Sequence, residues 1–242
     1  MFDFLKRKKD KLPFISAVVV AAGSGTRMGM PDKLLLELGD MPVIAHSLAA
    51  FCDCRRISEI ILVCREEEVA GYYHLVQDYG LVAVRKVVAG GKERQDSVFA
   101  GIAACSPDAD YFAIHDGARP LVTPELVGEC IDAAIEHGAA AAGVPVKDTI
   151  KIANTDGFIE STPDRSKLYA IQTPQIFEAK LYRLAMAGAI HIGRSFTDDC
   201  QLVEQAGHKV YIANGSYENI KITTPEDIAT AHALLEYREY QI

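Results

Sequence analysis

The chain has 242 residues, of which 49% are hydrophobic and 24% are charged, and this composition excludes a disordered or fibrous protein. Its net charge of −8 argues against a nucleic-acid partner, because proteins that bind nucleic acids contact the phosphates through an excess of Lys and Arg. No segment approaches the ~20 consecutive apolar residues of a membrane span, so we expect no membrane partner. The length suits one domain, predicted to cover residues 1–242.

The N-terminal segment and the cysteines bear on where the protein works. Residues 6–9 are basic and precede an apolar run over residues 14–22, but this run leads into a glycine-rich loop without a clear small-residue cleavage site. The six cysteines are scattered, and their spacing lacks the ligand pairs of a zinc site. We therefore expect a cytoplasmic protein with reduced thiols and a flexible tail over residues 1–13.

Short β-branched segments alternate with longer amphipathic ones along the chain, which is typical of a mainly parallel sheet with helices on its faces. The predicted strands cover residues 15–21, 59–64, 82–88, 111–114, 141–146 and 210–213. Thr123 and Thr224 each precede a proline and a glutamate, so each predicts an N-cap and a helix start. The predicted fold class is α/β, a Rossmann-like doubly wound sheet.

The segment over residues 147–172 breaks this alternation. Ile150 and Ile152 alternate with polar residues, residues 154–157 read Asn-Thr-Asp-Gly, and two apolar residues follow. An Asp-Gly turn between short apolar runs predicts a β-hairpin, and a hairpin inserted into a doubly wound sheet tends to project as an arm. Composition alone is compatible both with a surface excursion and with an arm that grips a partner subunit.

The most informative segment is a hydrophobic strand that runs into the glycine-rich loop of residues 21–29. Such loops let backbone N–H groups point at phosphate oxygens, so the loop predicts an anion site. The loop lacks the lysine of a P-loop, which argues against that type of phosphate site. Gly29 comes one residue too late for a dinucleotide fingerprint, which argues against a nicotinamide oxidoreductase. Arg27 and Lys33 add two cations beside the loop, and this combination suits a triphosphate.

Asp116 follows a predicted strand and should lie at the carboxyl edge of the sheet, where open α/β folds bind ligands. A carboxylate near phosphates is typical of a magnesium ligand, so Asp116 is the predicted metal ligand and Mg²⁺ the predicted cofactor. The alternative is that Asp116 caps a turn and pairs with Arg119. His115 is predicted to be structural. Residues 90–97, taken alone, suit either a solvated loop or a base-recognition loop.

In their order along the chain, these motifs resemble those of the 2-C-methyl-D-erythritol 4-phosphate cytidylyltransferase family. The motifs are A-A-G-S-G-T-R-M-G (21–29), P-x-K (31–33), G-G-x-x-R-x-x-S (90–97), H-D-G-A-R-P (115–120), P-V-K-D-T-I-K (145–151), T-P-Q-I-F (173–177), F-T-D-D (196–199) and N-I-K (219–221). The resemblance implies a fold of the nucleotide-diphospho-sugar transferase type. It also implies attack of the methylerythritol phosphate oxygen on the α-phosphorus of CTP, with release of pyrophosphate, in isoprenoid precursor synthesis.

The resemblance further implies roles for individual residues. Those implied to bind CTP are Ala21, Ala22, Gly23, Gly25, Gly91, Lys92, Ser97, Asp116 and Gly117, with Arg27, Lys33 and Lys221 as the catalytic residues. Those implied to hold the methylerythritol phosphate are Thr149, Arg165, Thr197 and Lys221. In the family, the hairpin arm crosses to a neighbouring subunit, so the resemblance implies a homodimer in which the arm completes the neighbouring active site.

Several departures from the family pattern keep alternatives open. Lys92 stands where many relatives carry an acid and Gly117 where an alanine is common, while Arg27 and Lys33 are one residue closer than in some relatives. A ribitol 5-phosphate cytidylyltransferase would share the fold and similar loops, so the acceptor is the main alternative. A non-catalytic nucleotide-binding regulator is a remote one, because the chain keeps Arg27, Lys33 and Lys221.

Overall fold

A computed structural model of the protein describes residues 12–23 and 33–240, apart from the side chain of Glu239. The strands in these residues are β1 (Ile15–Val20), β2 (Glu37–Leu38), β3 (Met41–Pro42), β4 (Glu59–Cys64), β5 (Val84–Ala89), β6 (Tyr111–Asp116), β7 (Ala139–Pro145), β8 (Ile152–Ala153), β9 (Ile159–Ser161), β10 (Tyr169–Glu178) and β11 (Tyr211–Asn214). The α-helices are α1 (Val43–Asp53), α2 (Val69–Asp78), α3 (Arg94–Ala104), α4 (Pro124–His137), α5 (Ala179–Ile192), α6 (Asp199–Gln205) and α7 (Pro225–Glu239).

A seven-stranded sheet in the order β11-β7-β10-β6-β1-β4-β5 forms the centre of the described residues. Strand β10 is antiparallel to both of its neighbours, β6 and β7. The other paired neighbours, β11 with β7, β6 with β1, β1 with β4 and β4 with β5, are parallel. The predicted mainly parallel α/β sheet is therefore confirmed.

Strand β1 illustrates how the sequence divides the core into two layers. Its successive side chains alternate between the two faces of the sheet, as the pleat requires. Ala17 and Val19 pack in one cluster with buried residues of α1 and α4, whereas Val18 packs in the other with buried residues of α3 and α5. Helices on both faces leave only the strand ends free for ligands, and this positions the site at an edge of the sheet.

Each of the six predicted strands has a counterpart, and the strand over residues 59–64 has the predicted bounds. The sequence did not predict β10, however, because Pro174 and the glutamines beside it are untypical of a central strand. The register with β7 shifts between Ile171 and Gln175, so Pro174 lies at an irregularity of the ladder. This is one of the few places where a sheet tolerates proline.

Both predicted helix starts are confirmed. Helix α4 begins at Pro124, and the Thr123 hydroxyl accepts a hydrogen bond from the Leu126 N–H at 3.2 Å. Helix α7 begins at Pro225, and the Asp227 carboxylate accepts one from the Thr224 N–H at 2.8 Å. No helix among the described residues combines the length and apolar character needed to cross a bilayer.

Within the predicted arm, β8 and β9 pair antiparallel in a two-stranded sheet of their own. The turn between them is closed by Asn154, whose side-chain oxygen accepts hydrogen bonds from the N–H groups of Asp156 and Phe158. Gly157 has a φ of +86°, a conformation that favours glycine. The reach of this arm towards a second subunit stays a prediction, as do the single domain over 1–242 and the tail over 1–13.

Candidate active site

A cavity of about 330 Å³ lies at the carboxyl ends of β1, β5 and β6. It is lined by nine of the predicted site residues: Ala21, Ala22, Gly23, Lys33, Gly91, Lys92, Ser97, Asp116 and Lys221. They come from five separate stretches of the sequence, which meet at the edge where parallel strands end. The cavity has the size that small-molecule sites usually have.

The first wall of the cavity continues from β1. The Ala21 N–H donates to the Val63 carbonyl at 2.6 Å, which holds the chain against the neighbouring strand just past the end of β1. Ala22 and Gly23 follow and line the cavity. Gly25 and Arg27 lie outside the described residues, so their contacts with CTP and the catalytic role of Arg27 stay predictions.

The second wall is the turn that links β5 to α3. The Gly91 N–H donates to the Ser97 hydroxyl at 3.2 Å, and that hydroxyl donates to the Glu93 carbonyl at 3.1 Å. A Cβ on Gly91 would lie 2.3 Å from the Cβ of Asp96, so the turn accepts only glycine without moving. The buried Ser97 therefore fixes the turn, and Lys92 lines the cavity from it.

Asp116 is the last residue of β6 and forms two ion pairs at the cavity. Its Oδ1 accepts from Nε of Arg94 at 3.0 Å and its Oδ2 from Nζ of Lys221 at 2.7 Å. Arg119, its alternative partner in the sequence, donates instead from Nη1 to the Asn219 carbonyl at 2.8 Å. The ion pairs of Asp116 are thus made with residues on the cavity wall.

The electrostatics of this cluster keep Asp116 ionised. Burial alone would raise the pKa of Asp116, but the charges of Arg94 and Lys221 outweigh burial and hold the pKa well below its usual range. Burial likewise opposes the charge of Arg94, and the Asp199 and Asp116 carboxylates raise its pKa instead. At neutral pH the cavity therefore presents a carboxylate between two cations.

The two predicted catalytic lysines lie close together on the cavity wall. Lys33 Nζ donates to the backbone carbonyl of Ile222 at 3.0 Å, and Ile222 directly follows Lys221. Lys33 belongs to a short 3₁₀ turn over Lys33–Leu35, whereas Lys221 precedes α7. Residues almost two hundred positions apart in the sequence thus bring two ammonium groups to one cavity, and this arrangement suits a polyphosphate.

Gly117 lies next to two residues that line the cavity, since it follows Asp116 and contacts Val20. It is not among the described lining residues. Its N–H donates to the Val20 carbonyl at 2.9 Å, and its own carbonyl accepts from the Ser47 hydroxyl at 2.9 Å. A Cβ there would lie 2.5 Å from Cδ1 of Ile44 and 3.2 Å from the Val20 carbonyl oxygen. Its predicted contact with the nucleotide stays a prediction, and the structure gives it a packing role.

Three of the predicted acceptor-binding residues lie apart from the cavity. Thr149, Arg165 and Thr197 are exposed and are not among the described residues that line it. The Arg165 guanidinium donates to the Lys147 carbonyl at 2.7 Å, within the arm segment. The Thr197 hydroxyl donates to Gln201 at 3.2 Å. The folded chain thus assembles the predicted nucleotide residues, and of the acceptor residues only Lys221.

His115 is buried and is held on both ring nitrogens. Its Nδ1 lies 3.1 Å from the Thr173 hydroxyl, and its Nε2 lies 3.4 Å from the Arg119 carbonyl. The Thr173 hydroxyl accepts from the Asp116 N–H, so its own proton can go to Nδ1 of His115. Burial lowers the pKa of His115 to about 3, and the neutral ring therefore fits the predicted structural role.

Arg94 lines the cavity but had no assigned role in the sequence analysis. It is the fixed arginine of the G-G-x-x-R-x-x-S motif, and this position is the only signal the sequence offers. Its partners Asp116 and Asp199 are 22 and 105 residues away along the chain. Local patterns therefore could not reveal that Arg94 joins two carboxylates.

The comparisons with known proteins identify the family. The family of 2-C-methyl-D-erythritol 4-phosphate cytidylyltransferase (IspD) matches residues 15–237. A relative of that name from Caldanaerobacter subterraneus subsp. tengcongensis is 48% identical over 223 residues, which are 91% of this chain and 98% of the relative. The chain belongs to this family. A relative of the same name from Syntrophotalea carbinolica is 48% identical over 225 residues, covering 92% of this chain and 96% of the relative.

Solved structures of similar proteins agree with this assignment. The 4-diphosphocytidyl-2C-methyl-D-erythritol synthase from Anaerococcus prevotii superposes with a TM-score of 0.82 at 35% identity, covering 93% of this chain and 99% of that one. The 2-C-methyl-D-erythritol 4-phosphate cytidylyltransferase from Thermus thermophilus superposes with a TM-score of 0.75 at 31% identity, covering 90% and 98%. The chain is therefore a nucleotidyltransferase of Rossmann-like fold.

Proposed function

We propose that the chain joins CTP and 2-C-methyl-D-erythritol 4-phosphate to give 4-diphosphocytidyl-2-C-methyl-D-erythritol and pyrophosphate. An oxygen of the acceptor phosphate attacks the α-phosphorus of CTP and forms a new P–O bond. The bond between the α-phosphorus and the bridging oxygen breaks, and its electron pair leaves with pyrophosphate. The family assignment supports this acceptor and does not favour ribitol 5-phosphate. The reaction belongs to isoprenoid precursor synthesis.

The observation that carries the proposal is the meeting of Lys33, Lys221 and Asp116 at one cavity at the carboxyl edge of the sheet. A triphosphate that undergoes substitution at phosphorus spreads negative charge over its oxygens, and fixed cations stabilise that charge most in the transition state. We assign this role to Lys33 and Lys221, together with Arg27. Ala21, Ala22, Gly23, Gly25 and the turn with Gly91, Lys92 and Ser97 would hold the nucleotide.

The chemistry needs no protein base. The second pKa of a phosphate monoester is about 6, so the acceptor is already largely a dianion at neutral pH. The work of the protein is then to align the attacking oxygen with the leaving pyrophosphate and to exclude other geometries. This agrees with a neutral, buried His115 that takes no part in proton transfer.

Asp116 would hold a divalent cation, with Mg²⁺ as the expected ion. Among the described residues, no group of three or more His, Cys, Asp or Glu side chains could form a protein metal cage. A single ionised carboxylate beside bound phosphates still fits Mg²⁺, which usually takes one or two carboxylates and fills its shell with phosphate oxygens and water. When bound, the ion would neutralise part of the triphosphate charge.

The acceptor-binding residues of the arm would belong to the active site of a second subunit. Thr149 and Arg165 are exposed and lie outside the cavity of their own chain. Apolar side chains of the hairpin are also exposed, with 72% of Phe158 and 63% of Ile159 accessible. Exposed apolar residues beside exposed phosphate-binding candidates are typical of an interface. We therefore propose a homodimer in which each arm completes the neighbouring site.

A cytoplasmic location completes the proposal. All six cysteines lie among the described residues, and each is a free thiol. Free thiols of this kind suit a reducing compartment.

Pyrophosphate release from purified protein tests the proposed reaction. CTP, Mg²⁺ and either methylerythritol phosphate or ribitol 5-phosphate are supplied in parallel, and the product is weighed by mass spectrometry. We expect release and a diphosphocytidyl product with methylerythritol phosphate, and a rate lower by a factor of about 100 or more with ribitol 5-phosphate, on the order of the discrimination that pocket contacts provide. If neither acceptor gives pyrophosphate release, the proposed function is overturned.

A further inference from the structure

The guanidinium of Arg94 lies between two buried carboxylates from distant parts of the chain. Its Nε donates to Oδ1 of Asp116 at 3.0 Å and its Nη1 to Oδ2 of Asp199 at 2.7 Å. The side chain of Asp199 is only 5% exposed and is not among the described residues that line the cavity. Asp199 therefore contacts the cavity wall through Arg94.

Asp199 is itself fixed by groups on two other elements. The buried Tyr182 of α5 donates its hydroxyl to Oδ1 of Asp199 at 2.5 Å. The Asp199 N–H donates to the side-chain oxygen of Gln175, a buried residue of β10, at 3.1 Å. With its carboxylate held by Tyr182 and its backbone by Gln175, Asp199 has few alternative positions, so it can act as an anchor for a flexible side chain.

If Arg94 were paired with only one carboxylate, its guanidinium could rotate away from Asp116. Its side chain has many rotamers, and a triphosphate in the cavity would compete with Asp116 for its donors. With Asp199 on one edge of the guanidinium, the other edge stays directed at Asp116. The ion pairs join Asp116, Asp199, Arg94 and Lys221, which carry two negative and two positive charges. Loss of the Asp199 charge would leave a net positive cluster around Asp116.

We propose that Asp199 is a positioning residue for nucleotidyl transfer. It holds Arg94 so that Arg94 fixes the orientation of Asp116 against Lys221 at the cavity. The F-T-D-D motif of residues 196–199 thereby contributes to the nucleotide half of the site, apart from the acceptor role predicted for Thr197. The inference rests on the proposed function, because its effect is measured on that reaction.

Asp199→Asn tests the inference, with Asp198→Asn as the matched control. Asp198 is the neighbouring carboxylate and accepts hydrogen bonds from Gln175 and from the Gln201 N–H, but it makes no ion pair with Arg94. We expect Asp199→Asn to lower kcat about tenfold or more, the size of losing a charge-assisted hydrogen bond, with a much smaller change in the KM for CTP. Asp198→Asn should keep kcat within about twofold, since it leaves Arg94 paired.

A double-mutant cycle separates positioning from general loss of packing. Arg94→Lys keeps the charge but loses the planar fork that bridges the two carboxylates. If Asp199 acts through Arg94, the two changes should be non-additive, and the double variant should be about as slow as the slower single variant. If the fold losses in kcat of the two single variants multiply in the double variant, so that their free energies add, the inference is overturned.

Circular dichroism and urea unfolding check that each variant is folded and measure its free energy of unfolding. If Asp199→Asn does not fold, Tyr182→Phe replaces it, because this change removes one hydrogen bond to Asp199 and keeps the ring. A folded Asp199→Asn variant whose kcat equals that of wild type or of Asp198→Asn would overturn the inference alone. Wild-type protein without pyrophosphate release would overturn the proposed function, and the inference with it.

Discussion

The cavity edge and the hairpin arm are built in opposite ways. At the cavity edge, Asp116 ends the buried strand β6 and forms ion pairs with Arg94 and Lys221. In the arm, β8 and β9 pair only with each other, and Arg165 is exposed. One region is preorganised within a single chain, whereas the other exposes Arg165, a proposed acceptor-binding residue that does not line the cavity described in its own chain. This difference is the physical reason to expect two subunits per active site.

The largest effect is expected at the cavity edge. Lys33→Ala removes a cation that we place on the triphosphate, and it should lower kcat by a factor on the order of 100 without unfolding the protein. Steady-state kinetics and circular dichroism measure the two quantities. Lys209→Ala, at an exposed lysine outside the described cavity lining, is the control and should behave like wild type. A near-normal kcat in Lys33→Ala would contradict the placement of the triphosphate.

A change in the arm should affect a different kinetic constant. Arg165→Ala should raise the KM for methylerythritol phosphate about 30-fold, as loss of a guanidinium–phosphate contact would, and leave the KM for CTP almost unchanged. Lys167→Ala is the matched control, since Lys167 is an exposed cation two residues away that is 3.8 Å from Asp164. If Arg165→Ala and Lys167→Ala change the KM for methylerythritol phosphate and the KM for CTP equally, the arm has no specific role in acceptor binding that the cavity edge lacks.

The smallest expected effect concerns association. Phe158→Ser at the exposed hairpin should weaken the dimer about tenfold, because an aromatic side chain would lose its burial against the partner. Sedimentation velocity over a concentration series measures the dissociation constant. Leu184→Ser, at a residue of α5 with 73% exposure, is the control and should leave it unchanged. An unchanged constant in Phe158→Ser would show that the hairpin does not contact a partner.

The same contrast explains what the sequence could predict. Local signals sufficed for parts of the fold, namely the strand over residues 59–64 and the helix starts after Thr123 and Thr224. They also sufficed for Asp116, which ends a strand and lines the cavity. These features depend on neighbours along the chain or on the rule that parallel strands end at one edge. For that reason nine predicted residues meet at the cavity.

Tertiary pairing accounts for what the sequence missed. Strand β10 was not predicted, because Pro174 is tolerated only where the ladder with β7 is irregular. The link from Arg94 to Asp199 spans 105 residues and depends on how α3 and α6 pack, which no local pattern encodes. Contacts across a subunit boundary are a further step removed, since they depend on a second chain.

Subunit mixing tests the division of the active site most directly. Lys33→Ala and Arg165→Ala are combined at equal concentration and allowed to exchange subunits. Pyrophosphate release is then assayed at a methylerythritol phosphate concentration well below the wild-type KM, where each variant alone is slow. In a mixed dimer, one site would combine an intact cavity with an intact arm. Half of the dimers would carry one such site, so activity should recover to about one quarter of wild type. No recovery after demonstrated subunit exchange would contradict a shared active site.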